Sequence, residues 1–73
     1  MMVRAKFTCV SKKETTWAVT YEFSPVTSGS PENEMFFGTT PAGNLTMTVK
    51  NEAVSFEIGR SYYIDFTEVP DGS

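Results

Sequence analysis

The sequence predicts an all-β protein: a small antiparallel barrel of four to five short strands with at most one short helical turn. Several segments alternate apolar and polar residues, which is the period of a strand with one buried face. Clusters of Gly, Pro, Ser and Asn separate these segments, and no long stretch has helical apolar spacing. Closure into a barrel hides strand edges. SH3-like and OB-like barrels both fit, and the lack of a clear helix between strands favours the first.

The first two strands carry the clearest alternation. Residues 3–10 place four apolar side chains on one face: Val3, Ala5, Phe7 and Cys9. Residues 11–14 are polar and predict a hairpin connection. Residues 15–23 predict the second strand, with four further side chains directed inward: Trp17, Val19, Tyr21 and Phe23. Pro25 ends this strand because proline lacks a backbone donor.

The middle of the chain is rich in turn residues. Residues 27–33 predict a long loop, residues 34–37 a brief extended apolar segment, and residues 38–44 a second turn-rich stretch. A strand over residues 45–49 directs Leu45, Met47 and Val49 inward. Residues 51–56 leave two alternatives, a single helical turn capped by Asn51 or a bent connection.

The last predicted strand follows the turn at Gly59. Its alternation directs Tyr62, Ile64 and Phe66 inward, and the intervening residues outward. On the outer face we expect Asp65 to pair with a cross-strand cation, such as Lys6. We expect a single domain over residues 1–69 and a flexible tail over residues 70–73.

Size and composition limit how the fold is stabilised. A chain of 73 residues is near the lower limit for independent folding, although 40% hydrophobic and 14% aromatic residues give it large side chains to bury. Oligomerisation or a bound partner would add stability. The net charge is −3 and the six basic residues are scattered. This pattern favours neither a general phosphate-backbone binder nor a dense acidic mimic of DNA.

The inventory of chemical groups indicates a protein that is not an enzyme and has no cofactor. The chain has no His and one Cys, so the commonest general base and metal ligand is absent and the thiol lacks its usual activator. The alternation places Cys9 in the core. A lone cysteine and the lack of an apolar leader or spanning stretch predict a reducing cytoplasm.

Two groups of residues are candidates for binding. Phe36 and Phe37 are adjacent, so on an extended segment they face opposite ways and cannot both enter one core. Two alternatives follow: a tightly wrapped small barrel covers both rings, or one of them forms a docking or stacking surface. That surface would be bordered by Asn33, Thr39 and Thr40. The second candidate is the outward ring of Tyr63 near Arg60, which could stack on a base.

The chain also resembles a group of short, uncharacterised bacteriophage proteins. The similarity lies in a loop pattern and a terminal strand pattern: Ser24-Pro25-Val26, Ser28-Gly29-Ser30, Glu32-Asn33, Phe36, Thr40-Pro41-Ala42-Gly43, Phe56, and Gly59 followed by Tyr62-Tyr63-Ile64-Asp65-Phe66-Thr67. The resemblance spans nearly all of the chain beyond the first strand. It implies a viral protein made in the cytoplasm of an infected bacterium and acting by binding.

Three functional hypotheses follow. The leading one is a non-catalytic accessory protein that docks on a host or phage protein, for example as an inhibitor of a host defence factor. The second is a single-strand nucleic-acid binder that uses aromatic stacking and scattered cations. The third is a protein that sequesters a small nucleotide with its polar loops, often across an oligomer interface.

Overall fold

The computed structural model describes residues 2–71. It contains four strands, β1 (Met2–Glu14), β2 (Val19–Pro25), β3 (Leu45–Val49) and β4 (Ser61–Thr67), and one short helix, α1 (Pro31–Phe37). All neighbouring strands are antiparallel, in the order β3-β2-β1-β4. The sheet curls into a half-barrel with β3 and β4 as its outer strands. The predicted small, all-β, antiparallel fold is therefore confirmed.

Strand β1 is longer than predicted. Residues 11–14 continue the strand instead of forming the hairpin connection, and the chain reverses at residues 15–18. A bulge separates Cys9, which pairs with Phe23, from Ser11, which pairs with Glu22. The extra residue breaks the alternation of apolar and polar side chains. A sequence pattern alone therefore ends the strand too early.

The second strand begins later than predicted, which changes the position of Trp17. Val19, Tyr21 and Phe23 face the core as expected, but Trp17 lies in the turn before β2 and is 80% exposed. The expectation that Trp17 faces inward is wrong. Trp and the neighbouring Thr residues favour strands intrinsically, but a local hydrogen-bonded turn places the indole in solvent.

The core lies on the concave face of the sheet. Five apolar side chains are buried: Ala5, Phe7, Cys9, Tyr21 and Phe23. The expected burial of Cys9 is confirmed. Phe56 covers this face, with its ring edge-on to Tyr21 at 5.1 Å and to Phe23 at 5.3 Å. Such edge-to-face pairs add to the free energy gained by burial.

Residues 51–56 form a bent connection, one of the two predicted alternatives. Asn51 Oδ1 accepts from the Ala53 N–H at 2.9 Å and a turn follows, but no helix forms. Ala53 and Val54 are exposed, and Phe56 is the residue of this segment that reaches the core. The molecule is only 17 Å thick in its shortest dimension. This thickness leaves room for the sheet and one covering layer.

The helix α1 replaces the loop and extended segment expected over residues 27–37, and that expectation is wrong for residues 31–37. Ser30 caps the helix by accepting from the Asn33 N–H, and Pro31 occupies the first turn. Gly38 ends the helix with φ of 70°, a left-handed conformation that favours glycine. Phe36 and Phe37 consequently do not face opposite ways: their rings contact each other at 4.9 Å.

The outer strands follow the predicted alternation. Leu45, Met47 and Val49 pack against the core from β3, and Tyr62 and Ile64 do so from β4. Phe66 shares their register but is 49% exposed at the end of the strand. Of the predicted tail, residues 70 and 71 are exposed and without regular structure, and residues 72 and 73 lie outside the described residues. Within the described range, no helix is long and apolar enough to cross a membrane.

Candidate functional site

Asn33 joins α1 to the sheet. The Lys6 N–H donates to Asn33 Oδ1 at 2.6 Å, and Asn33 Nδ2 donates to the backbone oxygens of Lys6 at 2.7 Å and Val26 at 2.8 Å. The residue is 1% exposed. These bonds use the polar atoms of its side chain. The structure therefore places this predicted site residue in a structural contact, away from the surface it was expected to border.

A charged cluster surrounds Tyr63 on the convex face. The Arg4 guanidinium lies 4.5 Å from the ring centroid and the Lys6 ammonium 5.6 Å from it, and the Tyr63 hydroxyl donates to Glu32 Oε1 at 2.9 Å. Arg4 also donates to both carboxylate oxygens of Asp65, at 2.6 and 3.1 Å. Asp65 thus pairs with Arg4, which lies directly opposite it in register. The expectation that Asp65 pairs with Lys6 is wrong.

Hydrogen bonding shifts the acidity of this cluster. The bonds from Arg4 lower the pKa of Asp65, and the same pair raises the pKa of Arg4. Its own backbone N–H and the side chains of Ser30 and Tyr63 lower the pKa of Glu32. All of these side chains reach solvent. The positive charge near Tyr63 is already matched by carboxylates within the chain, which leaves little excess charge for a phosphate.

An apolar patch lies at the N-terminal end of β1, and we call it the end patch. It consists of Val3, Met35, Phe36 and Phe66. Met35 is 88% exposed, and Phe36, which is 40% exposed, stacks on Phe66 with 5.7 Å between ring centroids. An open cleft of about 350 Å³ adjoins it. Contiguous exposed apolar groups of this kind mark interaction surfaces more often than scattered single residues do.

The other end of β1 carries the turn formed by residues 15–18, which we call the Trp17 turn. The Thr15 hydroxyl donates to the Ala18 carbonyl at 3.0 Å and accepts from the N–H groups of Trp17 and Ala18 at 3.3 and 3.1 Å. The Thr15 N–H also donates to the Ala18 carbonyl, at 2.9 Å. This network fixes the backbone of the turn, from which the Trp17 indole projects into solvent.

An open cleft of about 260 Å³ borders the Trp17 turn. Val49 and Val54 contribute apolar surface to it, Lys12 and Lys50 contribute positive charge, and Glu14 and Glu52 contribute an equal negative charge. Lys12 lies 3.5 Å from the Glu14 carboxylate, so part of the positive charge is matched directly. The lining therefore mixes apolar and charged groups, as the rim of a protein interface does.

The structure does not bring the predicted site residues together into one site. Phe37 packs against the core, Phe36 belongs to the end patch, and Thr39 and Thr40 are exposed in the segment after α1. Arg60 lies 3.3 Å from Glu57. The cations beside Tyr63 are Arg4 and Lys6, not Arg60.

Sequence reasoning missed Met35, Phe66 and Trp17 as surface residues. The signal for Trp17 was the Thr15 hydroxyl, which commonly bonds to backbone groups two and three residues ahead in turns. For Met35, the signal was Ser30-Pro31, a start of a helix whose exposed side includes position 35. Nothing in the pattern of β4 distinguishes Phe66 from Ile64.

No group of three or more carboxylate or thiol side chains within residues 2–71 is arranged to hold a metal ion. No protein-family model matches the chain, and neither a curated protein nor a solved structure matches it at a significant level.

Proposed function

We propose that this chain is a protein-binding module that docks on its partner through the Trp17 turn. The observation that carries the proposal is the 80% exposure of Trp17 on a turn fixed by hydrogen bonds. Tryptophan is among the residues that contribute most to binding energy at protein interfaces. Because the turn is already ordered, little conformational entropy is lost on docking.

The size of the indole supports this choice of surface. A tryptophan side chain can bury roughly 150–250 Å², and burial of apolar surface contributes about 25 cal/mol per Å². Full burial of this ring in a partner would therefore contribute about 4–6 kcal/mol before the entropic and desolvation costs of association are subtracted. We infer that the partner offers an apolar pocket, with polar groups at its rim that meet Lys12 and Lys50.

The resemblance to bacteriophage proteins bears on the choice of partner. It supports a host or phage protein encountered in the cytoplasm of an infected bacterium, with inhibition of a host defence factor as one form of the activity. The alternative of single-strand nucleic-acid binding has less support. Arg4 covers a face of the Tyr63 ring and also donates to Asp65. A base that stacked on this face would have to displace the Arg4 guanidinium and break its bonds to Asp65.

The experiment combines crosslinking with measured affinity. A photoreactive phenylalanine analogue at position 17 captures the partner during infection, and the purified partner is then titrated with the full chain. We expect Trp17→Ala to weaken binding at least 30-fold, which corresponds to about 2 kcal/mol. Phe36→Ala serves as the matched control on the end patch. Loss of affinity with Phe36→Ala but not with Trp17→Ala would overturn the assignment of the surface.

A further inference from the structure

We propose that two copies of this chain associate through antiparallel pairing of β4 with β4, which makes one continuous sheet. The interface lies at the outer edge of β4, which pairs with residues 2–8 of β1, whereas the Trp17 turn follows the other end of β1. The inference does not depend on the proposed function.

The outer edge of β4 is unpaired within the described part of the chain. The backbone N–H of Lys6 donates to Asn33 and its carbonyl accepts from Val26, so both groups point away from β4. Lys6 is opposite Tyr63 in the antiparallel register. The pair is therefore of the non-hydrogen-bonded kind, and the N–H and carbonyl of Tyr63 point outward. By alternation, the same holds for Ser61, Asp65 and Thr67.

Strand β4 lacks the usual devices that protect an edge. Exposed edges commonly carry proline, lysine or a bulge that prevents pairing with another chain. Between Ser61 and Thr67 there is no proline, glycine or lysine, and the register with β1 is unbroken. The one charge, on Asp65, is held by Arg4. The other edge strand, β3, spans only Leu45–Val49 and is followed by Lys50.

Side-chain matching selects one register. Outward-pointing residues of one copy must meet outward-pointing residues of the other to exchange hydrogen bonds. Placing Ile64 opposite Ile64 of the second copy meets this requirement over the whole strand. It also puts Phe66 opposite Tyr62 on the concave face and covers part of the exposed Phe66 ring.

Charge excludes one of the neighbouring registers. Shifting the pairing to centre on Asp65 would place two carboxylates directly opposite each other, which is destabilising. Shifting it to centre on Tyr63 would set Phe66 opposite Arg60 and leave Thr67 beyond the paired strand. In the register centred on Ile64, Asp65 lies opposite Tyr63 of the second copy and no like charges meet.

The register gives a charge test at position 63. Tyr63 is 51% exposed, so it tolerates substitution. Tyr63→Asp places a carboxylate opposite Asp65 of the second copy at two symmetric positions, whereas Tyr63→Lys places an ammonium there. Both variants lose the Tyr63 hydroxyl bond to Glu32 and the ring beside Arg4 and Lys6. Each also places a new charge opposite Lys6 of its own chain, so urea denaturation of both variants separates this effect from the effect on the dimer. Analytical ultracentrifugation of the full chain measures the dimer, and circular dichroism checks that both variants fold.

We expect the wild type to sediment at twice the chain mass of 8.1 kDa, and Tyr63→Asp to raise the dimer dissociation constant at least tenfold above that of Tyr63→Lys. A second variant, Ile64→Cys, should form a disulfide between copies on mild oxidation, because facing non-hydrogen-bonded residues lie closest together. Tyr62→Cys should not. A monomeric wild type, equal dissociation constants for the two charge variants, or crosslinking at 62 but not at 64 would overturn the proposal.

Discussion

The side-chain amide of Asn33 pairs with both backbone groups of Lys6 and bridges the Lys6 N–H to the Val26 carbonyl, a bond that β2 would make directly if it continued. The oxygen accepts at 2.6 Å and the nitrogen donates at 2.7 Å. Strand β2 ends at Pro25, and the Val26 N–H still donates to the Lys6 carbonyl, but without this amide the Lys6 N–H would have no partner under the helix. A single side chain thus closes the sheet edge and fixes the position of α1.

Replacing the buried Asn33 should strongly destabilise the fold. Asn33→Asp removes the two amide donations and directs a carboxylate at carbonyl oxygens, while Asn33→Ala leaves the Lys6 N–H without a partner. We expect the free energy of unfolding to fall by about 3 kcal/mol, as for other buried polar groups left unsatisfied. Urea denaturation measures the change.

The control for this prediction is Asn51→Ala. Asn51 also accepts a backbone hydrogen bond, from Ala53, but in an exposed turn. Its loss should lower the free energy of unfolding by about 0.5 kcal/mol. Equal effects at positions 33 and 51 would contradict the structural role assigned to Asn33.

Removal of the Phe56 ring, which covers the concave face of the sheet, should destabilise the fold. This ring contacts Tyr21, Phe23 and Tyr62 edge-on at 5.1 to 5.3 Å. We expect Phe56→Ala to lower the free energy of unfolding by about 3 kcal/mol, near the lower end for buried aromatic residues because Phe56 is partly exposed. Phe56→Leu should recover more than half of that loss, and Val54→Ala in the same segment should have little effect. A similar effect at positions 54 and 56 would show that Phe56 is not the covering side chain.

The left-handed end of α1 predicts a purely conformational effect at Gly38. Its φ is 70°, and a Cβ added there would meet nothing within 4 Å. Gly38→Ala should therefore lower the free energy of unfolding by about 1 kcal/mol, and Gly38→Asn by less, because asparagine tolerates this conformation better. Thermal unfolding of the two variants compares them directly. Greater destabilisation by Asn than by Ala would mean that side-chain contacts, not φ, set the cost.

Acid should weaken the contacts around Tyr63. The pKa values of Glu32 and Asp65 are lowered in the folded state, so the unfolded chain binds more protons in acid. Their contribution to the free energy of unfolding is complete above the ordinary carboxyl pKa, about 4, and is lost as the pH falls through the lower folded-state values. Urea denaturation from pH 7 to about pH 3 should show a steeper decline for the wild type than for Asp65→Asn or Glu32→Gln. Parallel pH profiles would contradict the assigned shifts.

The parts of this fold that depend on alternation are predictable from the sequence. The inner faces of β1 up to Cys9, of β3, and of β4 from Tyr62 to Ile64 follow from period-two spacing, because one face of each strand packs on the core. The later part of β1 does not, because the bulge after Cys9 shifts the alternation. Helix α1 has seven residues, too few for helical spacing of apolar residues to be recognised in the sequence. Ser30 and Gly38 are typical residues for the start and the end of a helix, and they are the sequence signals for α1.

The candidate surfaces were less predictable than the fold. Pairing of Arg4 with Asp65 depends on strand register, which a single sequence does not specify. The exposure of Trp17 depends on competition between strand propensity and the Thr15 hydroxyl, and local hydrogen bonding prevails. The end patch combines residues from β1, α1 and β4 that only the folded chain brings together.

Docking through the Trp17 turn can be tested on the indole of Trp17 itself. It is the only tryptophan, so 5-fluorotryptophan labelling gives a single ¹⁹F resonance that reports its contact with water. In the free protein, the resonance should shift between H₂O and D₂O. On titration with the partner captured at position 17, we expect the resonance to move and to lose that solvent dependence. A complex that forms by ultracentrifugation while the resonance keeps its position and its solvent shift would contradict docking through the Trp17 turn.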